Sequence, residues 1–203
     1  MKQMAGNRTF IYVDGFNLYH GAIKGTRHHW FDIPEAMRRL LPGCDINLIR
    51  YFTAVVSDRP DDPQKSLRQM TYIRALRALG TVSVDFGTFV TQKRYMPLAS
   101  SIGTGKTPQL VQVLRTDEKG SDVNLATALV DDAHRDRFDT AVMVTNDADL
   151  VSPVRLVSRD IGKQVGIVTP HARGSRALAK HADFVRQLRP SLVGVCQFFG
   201  CRG

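Results

Sequence analysis

The chain has no long apolar run. Nowhere do its 203 residues offer the ~20 consecutive apolar positions of a membrane-spanning helix. Its start, Met1 to Thr9, is polar and lacks the apolar stretch of a secretory signal. Both absences lead us to expect a cytoplasmic protein with no membrane partner. Cysteine is scarce: Cys44, Cys196 and Cys201 are three residues and do not form a disulfide framework. Cys196 and Cys201 have no second pair beside them and do not match a zinc site. Acids are in deficit, with 19 Asp and Glu against 28 Lys and Arg, a formal charge of +9. Such an excess suits a polyanionic partner, nucleic acid first, although it also serves solubility.

Repeats and low-complexity tracts are absent as well. At 43% hydrophobic and 23% charged, residues 1–203 can build one core and read as a single domain. Gly103-Thr104-Gly105-Lys106-Thr107 looks like a phosphate-binding loop, but Ser100 stands where its first glycine belongs. Pro97 and Pro108 also occupy the flanks that need a strand and a helix, so we set the motif aside.

What is present is an alternation of strands and helices. Strands are predicted at Thr9–Asp14, Asn47–Val56, Val82–Val90, Thr140–Thr145, Gln164–Thr169 and Phe184–Leu188. Helices are predicted at Phe16–Lys24, Ile33–Leu41, Gln64–Leu79, Ser121–His134, Leu150–Arg159 and Ser175–His181. In the third helix Leu67, Met70, Ile73, Leu76 and Leu79 form the apolar stripe. This order implies an α/β fold, a mainly parallel sheet covered on both faces. One stretch breaks it. From Phe86 to Thr116 there is no acid, and we expect an inserted basic loop or hairpin at about 90–116. A basic C-terminal extension follows from about residue 171.

Three segments carry acids to the expected carboxyl edge of the sheet. Val13-Asp14-Gly15-Phe16-Asn17 closes the first strand, and Thr145-Asn146-Asp147-Ala148-Asp149-Leu150 follows a buried apolar one. Lys119-Gly120-Ser121-Asp122-Val123 opens a helix, with Ser121 as its expected N-cap. Each has a plain alternative: a turn at Asp14, a helix dipole at Asp122, a cap at Asp149. Asp147 closes a strand where a cap is not needed. Open parallel sheets bind ligands beyond their carboxyl ends, and gathered carboxylates suit a divalent cation.

These three motifs, in this order, resemble the NYN domain, a group of PIN-like nucleases that includes the LabA-like proteins formerly called DUF88. The resemblance spans Thr9 to about Thr169. It implies a three-layer α/β/α PIN-like fold and Mg²⁺- or Mn²⁺-dependent ribonuclease activity. It carries over Asp14, Asp122, Asp147 and Asp149 as metal and catalytic residues, with Asn17 and Asn146 beside them. Asp14 and Asp147, each closing a strand, are the expected direct ligands. Asn17, Asn146 and Thr145 would orient a water or a phosphate.

For gripping nucleic acid, Lys93, Arg94 and Tyr95 combine charge with a ring that can stack on an unpaired base. Lys119, Arg173 and Arg176 complete the basic set. The expected partner is RNA, single-stranded or looped; nothing separates it from DNA. A homodimer and a protein regulator are left open as further partners. Two other functions compete: a non-catalytic RNA-binding or regulatory module, and a phosphatase for a small substrate.

Overall fold

A computed structural model describes residues 7–58, 60–102 and 107–198. The rejected glycine–lysine loop and Cys201 fall outside the described residues. Seven strands form one sheet: β1 (Arg8–Asp14), β2 (Asp45–Ala54), β3 (Val82–Pro97), β4 (Leu110–Lys119), β5 (Thr140–Val144), β6 (Gln164–Thr169) and β7 (Phe184–Gln187). Their order is β4-β3-β2-β1-β5-β6-β7, and only β4 is antiparallel to its neighbour.

Alternation along each strand sorts the core into two halves. Ile11, Val13, Ile49, Val142 and Val144 face one way. There they meet α1 (Gly15–Leu18), α2 (Ile33–Leu40), α3 (Lys65–Ala78) and α7 (Pro190–Val195) through Leu18, Met37, Leu76 and Val193. Tyr12, Phe52, Ala141 and Met143 face the other way. Their partners are α4 (Ser121–His134), α5 (Val151–Arg155) and α6 (Arg176–Ala179), through Leu129, Val154 and Leu178. The result is the three-layer α/β/α arrangement expected of the family.

Several local expectations are corrected. The first helix is one α turn running into a π turn at Tyr19–Ile23, and α5 likewise continues as a π turn at Leu156–Asp160. In α3 only Ile73 and Leu76 are buried, while Leu67 and Leu79 are exposed. Gly120, not Ser121, caps α4, at a φ of +96° that favours glycine. The turn it makes presses on β3 so closely that a Cβ on Gly87 would meet the Lys119 carbonyl at 2.7 Å. β3 runs on to Pro97, and its outer half pairs with β4 as a long ribbon, so the 86–116 break contains a hairpin. Helix α7 lacked a periodic signal because proline opens it and it spans only six residues.

One buried acid locks α4 to the sheet. Asp132 is 1% exposed and accepts from the Tyr12 hydroxyl at 2.8 Å, Arg137 at 2.8 Å and Arg50 at 3.1 Å. Removing it takes the partner from a buried phenol and from Arg137, while Arg50 keeps Asp85 at 3.0 Å. Asp132→Ala is expected to cost about 3 kcal/mol or more in chemical denaturation. Asp131→Ala, which breaks a half-exposed helical pair with Arg135, is expected to change stability by less than ~0.5 kcal/mol.

Candidate metal centre at the carboxyl edge

The sheet reverses its direction of growth at β1. The chain adds β2 and β3 on one side, then crosses through α4 to add β5 on the other. Such a switch point leaves a crevice beyond the strand ends, because the connections on its two sides turn away from each other. Val13 pairs with Val144 across it, so Asp14 and Thr145 emerge side by side.

Asp14 is 5% exposed. Its Oδ1 accepts the Asn17 amide hydrogen at 2.9 Å, capping α1, and its Oδ2 accepts the Thr145 hydroxyl at 3.1 Å. The Thr145 oxygen in turn accepts the Asp147 amide hydrogen at 3.1 Å. Asp147 caps the short turn Ala148–Leu150 by accepting from the Asp149 amide at 2.9 Å. The strand end therefore does carry a cap, and Asp147 provides it. Asp122 reaches the same point from the first turn of α4. One carboxylate oxygen from each of Asp14, Asp122 and Asp147 lies within 4.8 Å of the others. Asp149 is exposed and stays outside this group.

Burial drives the Asp14 carboxyl up to about 6, the neighbouring Asp122 and Asp147 charges add to the rise, and the two hydrogen bonds it accepts oppose it. Burial likewise raises Asp122, helped by Asp147, Glu118 and Asp149. Among the described residues none of the three aspartates forms an ion pair, in contrast to Asp132. Clustered hard oxygen donors without a cationic side chain fit a divalent cation such as Mg²⁺ or Mn²⁺.

A cleft of about 250 Å³ opens over the cluster, walled by Phe16, Asn17, His20, Glu118, Ser121 and His171. The sequence reading missed three of these. Glu118 accepts the Ser121 amide hydrogen at 3.0 Å, and its one signal was an acid just before the glycine that starts α4. His20 and His171 both line the cleft, and burial, Lys24, Lys65 and His171 lower the His20 pKa. Neither histidine had a motif to reveal it.

Asn146 has a different occupation from the one expected. Its amide hydrogen reaches Asn17 Oδ1 at 2.9 Å. Its side-chain oxygen accepts from Ser175 N at 2.6 Å and Thr169 Oγ1 at 3.2 Å, and its Nδ2 donates to the Arg173 carbonyl at 3.1 Å. The side chain fastens the loop after β6 to the site, and Asn17 is the asparagine that lines the cleft. Arg173 and Arg176 ride on that loop and its helix, both exposed. Lys93 and Tyr95 share one face of the β3–β4 ribbon with Phe89 and Glu118, since paired residues 89↔118, 93↔114 and 95↔112 project together. That face leads to the cleft: Phe89 packs on Phe16 at 5.6 Å. Arg94 and Lys119 lie on the opposite face, where Arg94 donates to Gln92.

The model of the NYN domain family matches residues 8–188. A curated protein named 6-hydroxy-3-succinoylpyridine 3-monooxygenase HspA, from Pseudomonas putida (strain DSM 28022 / S16), is 29% identical over 219 residues, covering 94% of this chain and 70% of that one. A crystal structure of a protein of unknown function from Vibrio parahaemolyticus RIMD 2210633 shares the fold. Its TM-score is 0.59 at 18% identity, over 93% of this chain and 97% of that one.

The raised Asp14 carboxyl makes stability depend on pH. Between the ordinary 3.8 and about 6 the folded chain keeps a proton that the unfolded chain has lost, so stability falls as pH rises through that window. The loss amounts to roughly 3 kcal/mol. In chelator, Asp14→Asn is expected to be more stable than the parent above about pH 6, the gap closing below about pH 4. Denaturation midpoints across that range measure it, and a gap that ignores pH would refute it.

Proposed function

The chain belongs to the NYN domain family, and on that premise we propose that it is a LabA-like, metal-dependent ribonuclease acting in the cytoplasm. The observation that carries the reading is the convergence of Asp14, Asp122 and Asp147 within 4.8 Å at the sheet's switch point. In this reading Asp14, Asp122 and Asp147 would hold Mg²⁺ or Mn²⁺, and Asp149 would add negative charge beside them. A divalent cation there supplies charge for the phosphate and lowers the pKa of water.

The chain's own groups do the rest. Thr145 and the Asn17 amide fix both oxygens of Asp14, which keeps the carboxylate from swinging out of the cluster. Asn17 faces the cleft and would orient the scissile phosphate. Asn146 acts as a positioning residue, holding Arg173 beside the site through the loop it clasps. Lys93 and Tyr95, on the ribbon face that leads to the cleft, would grip an unstacked strand, and Arg173 and Arg176 its phosphates. Arg94 and Lys119, turned to the other face, contribute less. The net charge of +9 favours a polymeric anion over a small phosphorylated substrate.

A second reading, ring hydroxylation, is favoured by the 29% identity to the curated monooxygenase over 94% of the chain. It consumes dioxygen and two electrons, whereas phosphodiester hydrolysis consumes neither. Dioxygen uptake upon adding 6-hydroxy-3-succinoylpyridine and a two-electron donor, with intact RNA throughout, would replace the nuclease.

Cleavage of a labelled hairpin RNA is expected with Mg²⁺ or Mn²⁺ and to vanish in EDTA. Asp147→Asn is expected to slow it by about two orders of magnitude or more while the protein stays folded. Undiminished cleavage in either condition would end the proposal. Binding should weaken with salt, linearly on log–log axes. Lys93→Ala is expected to flatten that slope by about one contact, and Arg94→Ala to leave it nearly unchanged. Equal effects from the two would mean that the ribbon face does not guide the strand.

A further inference from the structure

The β3–β4 ribbon ends the sheet, with β4 as its edge strand. Among the described residues β4 pairs with β3 alone. Its outer stretch, Leu110-Val111-Gln112-Val113-Leu114, is exposed or half-exposed throughout, with Leu110 at 60% and Leu114 at 72%. A bare two-stranded ribbon is marginal in water, and an uncovered apolar edge is a template for another strand. Edges left free are blunted by charge or proline. Here residues 109–114 hold neither, between Pro108 on one side and Arg115 on the other.

The order of residues says which strand fits. Leu-Val-Gln-Val-Leu reads the same in both directions about Gln112. Two antiparallel copies related by a two-fold axis at Gln112 would set Leu110 opposite Leu114, Val111 opposite Val113, and Gln112 opposite itself. Every residue then meets its own kind on the same face of the extended sheet, the reciprocal pairing that an isologous contact demands. Charge agrees. Two chains of +9 repel, but residues 107–114 carry no charge, and Arg115 would face the neutral Gln109 of the other copy.

We infer that the β4 edge is a homodimer interface, in which two copies of this chain join their ribbons antiparallel about Gln112. The four-stranded ribbon so formed pairs the free edge and shields Leu110 and Leu114. It leaves Lys93 and Tyr95, on the inner strand of each ribbon, away from the contact edge. The inference does not depend on the catalytic reading.

The test is the oligomeric state of the full chain, free of RNA and metal, by analytical ultracentrifugation. The parent is expected at twice the chain mass. Leu110→Glu with Leu114→Glu sets like charges opposite each other and is expected to give the monomer. Leu110→Lys with Leu114→Glu sets opposite charges face to face and is expected to restore the dimer. Both sites are exposed, and circular dichroism confirms that each variant is folded. Paired residues at the two-fold sit about 4.5–5.5 Å apart at Cα, within disulfide reach. Gln112→Cys is therefore expected to cross-link on oxidation well above the parent, which already carries three cysteines, and Thr116→Cys is not. A monomeric parent at the highest soluble concentration overturns the interface, whatever the variants do to RNA binding. A dimer that survives the double glutamate variant, or cross-links equally through Thr116→Cys, overturns this surface and register.

Discussion

Like charge held together at one point of the sheet is the constraint around which this protein is arranged. Three aspartates share a space smaller than 5 Å, and the most buried of them is pushed up to about 6. Such repulsion would open a loose structure. It persists here because each carboxylate is anchored to backbone that cannot move independently. Asp14 ends a strand buried on both faces, Asp147 caps the turn after β5, and Asp122 sits in the first turn of a helix packed on the sheet. The Thr145 hydroxyl bridges the two strand ends, donating to Asp14 and accepting from the Asp147 amide.

The contrast between two buried acids separates support from function. Asp132 is nearly inaccessible and is met by two guanidiniums and a phenol, so its charge is neutralised in place. Asp14 is equally sheltered but receives only an amide and a hydroxyl. No cationic side chain among the described residues neutralises it, which leaves three clustered carboxylates that suit a small cation. The asparagines divide their work by the same logic. Asn146 spends its side chain on the protein, drawing the loop that bears Arg173 against the site. Asn17 accepts the Asn146 amide hydrogen through its Oδ1 and lines the cleft.

Much of this was legible in the residues. Buried β-branched runs followed by Asp marked β1 and β5, and helical periodicity located α4 to the residue. The alternation of elements implied the parallel sheet. The misreadings were local and had local causes. The π turns after α1 and within the α5 segment span five residues each, about one turn, too few for their wider spacing to show in the apolar pattern. Lys93-Arg94-Tyr95 reads as one patch in a line of sequence but is split between two faces once it becomes a strand. Glu118 joined the cleft because the turn at Gly120 folds it back toward Ser121.

By itself, the sequence determined that Asp14, Asp122 and Asp147 would stand at the ends of their elements, because strand and helix boundaries are local matters of propensity and capping. It also determined the excess of positive charge and the uncharged, self-matching stretch of β4. Only the tertiary structure decided that β1 and β5 are neighbours, since strand order is set by how layers pack and not by any residue's own preference. That one adjacency turned separate acidic motifs into a single site, brought Thr145 to Asp14, and left Asp149 outside it.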